Sequence, residues 1–340
     1  MSLKKCLDVE LKIASLLHDP LDKALDYRNH IDRAVNYAST LFQIPPTSNI
    51  LKLIAMHHSS GIIKEADENA SSLNRTLILR FKPSRSREDN LLIYHPLSGI
   101  ELHFIGKNML PAKLNAAQKN LMKIKYPLKV SKQSVDDFNR LMGDLPLIYY
   151  LFEDEDIRKW IYNLPEDTRT PITSILSHLQ MTSIISTIIS CGRKFLVVYL
   201  DIGGVQEFIS RSRKTLDLWA SSYLVSLLNY YVIYILAKKY GADSFIIPWL
   251  PVIPIARATL FGKKVNYEEL IHSQVPNSFL ALFPLIEEYN GSIEDVLNNL
   301  YDEIIKYYKE GLDKIISAIA EFLNVDKSVF DEVSVHDILG

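Results

Sequence analysis

The run FLVVYLDI at 195–202 constrains the fold most, because it is short, apolar and followed directly by a Gly-Gly turn. Such a run is typical of a buried strand. A long apolar helix comes next, and two further strand-like runs follow at 245–250 and 277–283. A last helix begins at Ser292 and carries acidic residues in its first turn, as helix starts prefer. This β-α-β-β-α order predicts a ferredoxin-like domain that lacks its final strand.

The stretch 218–237 contains twenty residues without a formal charge, which is long enough to cross a membrane. Its apolar residues recur on one helical face, however, and serines, an asparagine and tyrosines interrupt it. That amphipathic pattern predicts a helix of a folded core and no membrane partner. The N-terminus carries charges through its first apolar stretch, so it has no signal-peptide pattern.

The sequence before residue 190 has mainly helical patterning. Two helical pieces at 8–40 flank a break at Asp19-Pro20, and two more flank a Ser-Ser-Gly turn at 59–61. Between about 76 and 105 the pattern changes to short strand-like runs separated by turns, which predicts a small β insertion. We therefore expect an α+β protein with a mostly helical domain at 1–190 and a second domain at 195–340.

The net charge of −2 shows that the whole chain is not a basic nucleic-acid-binding protein. Local patches remain possible: seven lysines and no acidic residue occur at 107–132. A second group consists of Arg80, Lys82, Arg85 and Arg87. Either patch could follow a phosphate backbone, and a solvated surface is the plain alternative.

The chain has two cysteines, Cys6 and Cys191. Two cysteines cannot supply a four-cysteine zinc site or a disulfide framework. The simplest expectation is therefore a pair of reduced thiols in an intracellular, cytoplasmic protein.

Several segments of the first domain carry side chains that can bind metals. The candidates are His18 and Asp19, the pair His57 and His58, Asp67, His178 and, as a fifth segment, His30. Imidazole nitrogens with nearby carboxylates suit transition metals, and such a site can generate hydroxide that attacks a phosphodiester. The plain alternative is a set of separate histidines that are packed or hydrogen-bonded in a core.

Longer blocks of sequence carry a family resemblance. The blocks KIASLLHDPLDKAL, IYHPLSGIEL, LPEDTRTPITSILSHLQMTSII, LDIGGVQEFISRSRKTLDLWASSYLVSLL and PNSFLALFP occur in this order along nearly the whole chain. They resemble the N-terminal part of the large subunit of type III-B (Cmr-type) CRISPR effector complexes. The resemblance implies a circularly permuted HD domain, followed by the first of two cyclase-like palm domains.

For the HD domain, the resemblance implies a metal site at His18, Asp19, His57, His58, Asp67 and His178, with His18 and Asp19 as the catalytic pair. Mn or Ni is the expected divalent metal, and many family members cleave single-stranded DNA. The sequence departs from the family pattern at three places. Ser177 precedes His178 where Asp is common. Leu21 replaces the second proline of the Pro-Pro pair that usually follows His-Asp, and Ile31 follows His30 where Glu is usual. These departures keep open an inert, structural HD domain.

For the palm domain, Asp201, Gly203, Gly204 and Gln206 are the expected nucleotide-binding residues. An acidic residue at a strand end can hold Mg²⁺, and glycines let the backbone approach phosphates. The plain alternative is a tight strand-to-helix turn. The family's Gly-Gly-Asp-Asp motif, which belongs to the second palm, does not occur in these 340 residues. We therefore expect a truncated palm that uses ATP and Mg²⁺ only with a second palm.

These expectations combine into one function and two alternatives. The chain is expected to belong to an RNA-guided antiviral complex, with other Cmr-type subunits, guide RNA and target RNA as partners and single-stranded DNA as a possible substrate. One alternative is a non-catalytic scaffold of the same complex. The other is a free-standing HD phosphohydrolase, against which the palm-like blocks argue.

Overall fold

A computed structural model describes residues 6–23, 29–59, 61–72, 90–94, 101–106, 134–148, 164, 166, 173–272, 274–285 and 292–330. These residues form a mostly helical protein with small antiparallel sheets, which confirms the α+β class. The chain divides into two compact units, Ser2–Lys194 and Phe195–Gly340. We call them the N-terminal and the C-terminal unit.

The described part of the N-terminal unit consists of helices and one pair of strands. Its described elements are α1 (Val9–Leu16), α2 (His30–Thr40), α3 (Asn49–Ala55), α4 (Gly61–Ala70), β1 (Asn90–Tyr94), β2 (Glu101–Gly106), α5 (Val135–Ile148) and α6 (Ile175–Ser190). The two strands pair antiparallel, where the sequence predicts part of a β insertion. Another predicted strand of that insertion, at 77–81, and both basic patches lie outside the described residues.

Helices α1 and α6 run antiparallel and form the centre of this unit. Their interface is unusually polar for a core: Ser15 Oγ donates to Ser186 Oγ at 2.8 Å, and Lys12 Nζ donates to Thr187 Oγ1 at 3.2 Å. The ammonium of Lys12 also lies 4.8 Å from the ring centre of Phe138. These buried polar groups are therefore compensated by partners, which explains why α6 can be rich in Ser and Thr and still be buried.

The two cysteines are joined, which corrects the expectation of reduced thiols. Cys6 precedes α1, Cys191 follows α6, and their sulfurs form a disulfide with the Cα atoms 4.9 Å apart. Both residues are buried. The sequence gives no hint of this pairing because the cysteines are 185 positions apart, and only the packing of α1 on α6 brings them together.

The C-terminal unit contains a three-stranded antiparallel sheet with helices. Its elements are β3 (Phe195–Asp201), α7 (Val205–Ser210), α8 (Thr215–Tyr240), β4 (Phe245–Ile247), α9 (Pro254–Thr259), α10 (Tyr267–Leu270), β5 (Ser278–Pro284) and α11 (Ile293–Leu323). The strand order is β3-β5-β4, so β5 lies between two strands that are joined by a helical crossover. The predicted run 245–250 is shorter as a strand, because Pro248 has no N–H to donate to a ladder.

The core of this unit lies between the sheet and its two long helices. Phe279 and Phe283 of β5 are buried, and the ring of Phe283 lies 4.6 Å from that of Tyr240 in α8. Helix α8 packs against α11, where the Tyr308 hydroxyl donates to Asn229 Oδ1 at 2.8 Å. Within the described residues, α8 is the one helix long and apolar enough for a membrane span, and half of its most apolar window is buried in the protein.

Candidate metal centre

The end of α1 places the first two candidate residues. The helix ends at Leu16, and His18 and Asp19 follow in the turn before Pro20, which cannot continue a helix. His178 lies one turn inside α6, whose N-terminus is capped by Ser174. Because α1 and α6 run antiparallel, the C-terminal end of one meets the N-terminal end of the other. Residues 160 positions apart in the sequence therefore become neighbours.

Four metal-capable side chains converge there: His18, Asp19, Asp67 and His178. Their donor atoms all lie within 4.8 Å of one another. His178 Nε2 is 3.1 Å from Asp67 Oδ1 and 3.4 Å from His18 Nε2. His18 Nε2 is in turn 3.4 Å from Asp19 Oδ2. Both histidines and Asp19 are buried, and Asp67 on α4 is partly exposed, so the cluster has one accessible side.

The far side of each imidazole faces an oxygen atom of a neighbouring residue. His18 Nδ1 lies 2.7 Å from the Ser15 carbonyl oxygen, which only accepts, so this nitrogen carries the proton. His18 Nε2 consequently faces the cluster. His178 Nδ1 lies 3.3 Å from Glu166 Oε1, an oxygen that also accepts a hydrogen bond from Ser71 Oγ. A partner of this kind behind a histidine is characteristic of metal sites.

The pKa values show how strongly the groups interact. Burial alone would lower the pKa of His178, but the carboxylates of Asp67 and Glu166 outweigh burial and raise it to about 9. Burial alone would raise the pKa values of Asp19 and Asp67. Their histidine neighbours, and Lys23 beside Asp19, instead hold both carboxyl pKa values below the ordinary range. Both carboxylates are therefore ionised at neutral pH and able to bind a cation.

A second histidine cluster lies beside the first. His30, His57 and His58 bring one nitrogen each within 4.8 Å of the others. The rings of His18 and His57 are 5.2 Å apart, and His30 Nε2 lies 3.9 Å from Asp19 Oδ1. Burial and the charge of His18 lower the pKa of His57 to about 4, so its imidazole is neutral at pH 7.

Three buried atoms of the two clusters have no hydrogen-bond partner within the described residues: Asp19 Oδ1, His57 Nε2 and His178 Nδ1, the last of which lies 3.3 Å from Glu166 Oε1. A buried polar atom without a partner is costly, so each one needs an explanation. His57 Nδ1 lies 2.8 Å from the Ile54 carbonyl oxygen, which leaves Nε2 as the lone-pair nitrogen. A carboxylate oxygen and an imidazole nitrogen are suitable ligands for a transition metal. The donor set therefore fits a metal, and Asp19 faces both clusters.

Two residues near the first cluster were not expected from the sequence. Lys23 contacts Asp19 Oδ2, and Glu166 supports His178. The i, i+4 spacing of Asp19 and Lys23 could have suggested the first contact. Glu166 lies in a segment with no clear helical or strand pattern, so no sequence signal could have placed it.

The expected nucleotide-binding residues lie together at the end of β3, in the other unit. Asp201, Gly203, Gly204 and Gln206 are all exposed. Gly204 has φ 68°, a left-handed conformation that favours glycine, where the chain turns from β3 into α7. Asp201 Oδ1 accepts a hydrogen bond of 2.7 Å from Asn277 Nδ2, which fixes the carboxylate at the strand end.

Comparisons with known proteins agree on one family. The family described as CRISPR-associated protein Cmr2, N-terminal, matches residues 197–317. The CRISPR system Cmr subunit Cmr2 of Pyrococcus furiosus is 24% identical over 90% of this chain and 38% of its own length. The CRISPR system CMR subunit Cmr2 of Saccharolobus solfataricus is 30% identical over 89% of this chain and 27% of its own length.

One solved structure gives the same fold. A chain of the type III-B Cmr-beta complex, determined by cryo-electron microscopy in the apo state, covers 90% of this chain with a TM-score of 0.55. This chain matches 33% of that chain, at 23% sequence identity. The chain thus spans between about a quarter and two fifths of the proteins that it resembles. Since both curated relatives match along about nine tenths of it and the family model matches the C-terminal unit, the chain belongs to the Cmr2 family, the large subunit of type III-B CRISPR systems.

Proposed function

We propose that the N-terminal unit is an HD-type domain that hydrolyses single-stranded DNA with a divalent transition metal, Mn or Ni. The convergence of two imidazole nitrogens and two ionised carboxylates within 4.8 Å carries this proposal. Separate structural histidines would have no reason to point their Nε2 atoms at one place. The argument is strengthened by Asp19 Oδ1 and His57 Nε2, which are buried and have no hydrogen-bond partner among the described residues.

His18, Asp19, Asp67 and His178 would hold the metal, and His30, His57 and His58 could hold a second ion beside it. Such a metal supplies a Lewis acid and a hydroxide nucleophile at neutral pH. The protein's own groups prepare the site for this chemistry. Ser15 and Glu166 fix the orientation of two imidazoles, and the burial of His18 and Asp19 keeps bulk water away from both side chains.

Elemental analysis of the purified chain tests the proposal. The wild type should carry Mn or Ni, and the His18→Ala/Asp19→Ala variant should lose at least about 90% of it, because two of four ligands are gone. Cleavage of single-stranded DNA in Mn²⁺ should fall to background in the same variant. Asp302→Asn is the matched control: it removes an exposed carboxylate of α11 in the other unit and should change neither result. Equal metal content in wild type and double variant would contradict the proposal.

We further propose that the C-terminal unit is the first palm of the family and supplies half of an ATP site. The β3-β5-β4 order, with a helical crossover from β3 to β4, supports a ferredoxin-like arrangement without its last strand. Asp201 and the turn at Gly203 and Gly204 would face Mg²⁺ and phosphates.

The chain alone should make no cyclic oligoadenylate from ATP and Mg²⁺, since it has no Gly-Gly-Asp-Asp motif. Detection of such a product by chromatography would contradict this expectation.

The assembly that this function implies contains other Cmr-type subunits, guide RNA and target RNA, in the cytoplasm. The names of the two curated relatives, each called a subunit of a CRISPR system, support it. Co-purification of the chain with the other subunits tests this point. The second alternative, a free-standing phosphohydrolase, has less support, because the relatives match across both units rather than across the N-terminal unit alone.

One observation favours the non-catalytic scaffold as a second candidate. Ser177 stands where the family commonly has Asp, and its hydroxyl accepts from Ser174 at 3.0 Å on an exposed surface. This position therefore adds no ligand to the cluster. A scaffold would retain assembly with the other subunits and would bind no metal, so the metal analysis described above separates the two candidates.

A further inference from the structure

The ammonium of Lys23 shares an oxygen with the candidate metal cluster. It contacts Asp19 Oδ2, which lies 3.4 Å from His18 Nε2 and 3.8 Å from His178 Nε2. The side chain of Asp19 is 1% exposed and that of Lys23 is 14% exposed. A cation thus already sits on the carboxylate oxygen that faces both imidazoles.

The loop that carries Lys23 is anchored by its neighbour. Asp22 forms an ion pair with Arg33 of α2 and accepts a hydrogen bond of 3.0 Å from the Tyr37 hydroxyl. These contacts hold the backbone beside Lys23 in place, while its side chain is a flexible four-carbon stem. The ammonium can therefore leave Asp19 without any change in the loop.

A buried carboxylate requires a compensating charge, because an unpaired one is strongly destabilising. Lys23, together with the neighbouring histidines, supplies that charge in the protein without a metal. A divalent ion held by His18, Asp19 and their neighbours would also compensate the carboxylate, and it carries a larger positive charge than the ammonium. Two cations on one carboxylate oxygen repel each other, and the repulsion is large in a buried place where the dielectric is low.

We propose that Lys23 is a built-in counter-ion of Asp19 that a divalent metal must displace, so that Lys23 weakens and thereby sets the affinity of the site for metal. This inference rests on the metal site proposed for the N-terminal unit. It gives Lys23 a role in the metal-free protein, as a residue that stabilises the empty cluster. An ordinary structural ion pair would instead persist when the metal binds and would leave the affinity unchanged.

Calorimetric titration of the full chain with Mn²⁺ tests the inference. Lys23→Gln should bind Mn²⁺ about tenfold more tightly than the wild type, because the competing cation is gone. The matched control is Lys64→Gln, which removes an exposed lysine three residues before Asp67 and should change the dissociation constant less than about twofold. Equal or weaker Mn²⁺ binding by Lys23→Gln would overturn the inference.

Thermal melting gives an independent measure. Without metal, Lys23→Gln should melt at a lower temperature than the wild type, and Mn²⁺ should raise its melting temperature by more. The Lys23→Arg variant keeps the ion pair and should therefore fold as the wild type does. An arginine pairs with a carboxylate through two N–H groups, so the metal has a stronger competitor. Mn²⁺ should therefore bind this variant several-fold more weakly than the wild type. Tighter binding by Lys23→Arg would contradict displacement.

The two proposals fail in different ways. A wild type that binds Mn²⁺, together with a Lys23→Gln variant of the same affinity, would remove only the counter-ion role. A wild type that binds no Mn²⁺ would overturn the metal site and the counter-ion role together.

Discussion

Glu166 affects the cluster only through His178. Its oxygen lies 3.3 Å from Nδ1, on the side of the ring that faces away from the other three donors. Burial alone would raise the pKa of Glu166, but His178 and Ser71 hold the pKa below its usual value, so the carboxylate stays ionised. An ionised carboxylate in this position orients the imidazole and makes its other nitrogen a better ligand.

We therefore expect Glu166→Gln to weaken Mn²⁺ binding about 10-fold or more while the four donors remain in place. The glutamine has nearly the same size but no charge, so the loss reports electrostatic support of His178. Calorimetric titration measures the effect. The exposed Glu65→Gln on α4, whose partner is Arg193 at the surface, is the control and should bind as the wild type does. Unchanged affinity in Glu166→Gln would show that His178 needs no such support.

The residue types at the cluster could be predicted from the sequence, but their companions could not. His18-Asp19, the paired histidines and His178 stand out, because such residues are uncommon in apolar helices. Lys23 and Glu166 do not stand out, because lysines and glutamates occur throughout surface segments. The sequence also could not separate His30, His57 and His58 into a cluster of their own, since that grouping depends on how α2 and α3 pack.

The helices and strands were predicted best where their boundaries carry a chemical signal. Helix α11 begins after Ser292, whose hydroxyl accepts from the Asp295 N–H while the Asp295 carboxylate accepts from the Ser292 N–H. The strand before the Gly-Gly turn was also found in the expected place, but it is not the buried strand that was predicted, because Phe195, Val197 and Tyr199 are exposed. The break within the predicted helix after β3 was not expected, because residues 211–214 contain no Gly or Pro that would mark the division between α7 and α8.

Packing between α8 and α11 depends on a residue without a side chain. A Cβ atom on Gly311 would lie 2.8 Å from Tyr231 Cδ1 and 3.2 Å from Leu228 Cδ1. Alanine favours a helix over glycine by about 1 kcal/mol, whereas overpacking costs about 1–3 kcal/mol. The second effect is larger, because a rigid aromatic ring stands in the way. We expect Gly311→Ala to lower the free energy of unfolding by about 1 kcal/mol.

Urea unfolding of Gly311→Ala and of Gly61→Ala measures this balance. A Cβ on Gly61, the first residue of α4, would have no neighbour within 4 Å. That substitution should therefore be neutral or stabilise the protein by up to about 1 kcal/mol. If both variants were stabilised equally, α8 and α11 would not be as close as the contacts of Gly311 indicate.

The disulfide closes nearly the whole N-terminal unit into one loop. A cross-link over 185 positions restricts the unfolded chain strongly, and the expected stabilisation is about 2–5 kcal/mol. We expect the Cys6→Ser/Cys191→Ser variant, and the wild type in a thiol reductant, to unfold at lower temperatures than the oxidised wild type. Differential scanning calorimetry measures the shift.

Reductant should have no effect on the double variant, which serves as the control. Identical melting of the oxidised and reduced wild type would mean that the thiols are not bonded in solution. Disulfides do persist inside cells in some organisms that live at high temperature, so the bond does not by itself exclude an intracellular protein.

Division into two units follows a change of pattern that the sequence already contains. Helical periodicity dominates before about residue 190, and alternating strands and helices follow. The long-range pairing inside the N-terminal unit could not be predicted in the same way. Its first and last described helices are partners, and sequence periodicity carries no information about which helix packs on which.

The pairing of α1 with α6 also has a consequence for protein synthesis. His178 and the helix that carries it leave the ribosome some 160 residues after His18. Because chains grow at roughly 5–20 residues per second, a nascent polypeptide spends about ten seconds or more with an unfinished ligand set. The proposed metal site therefore stays incomplete until α6 has been translated, and we expect a half-made chain to hydrolyse no nucleic acid.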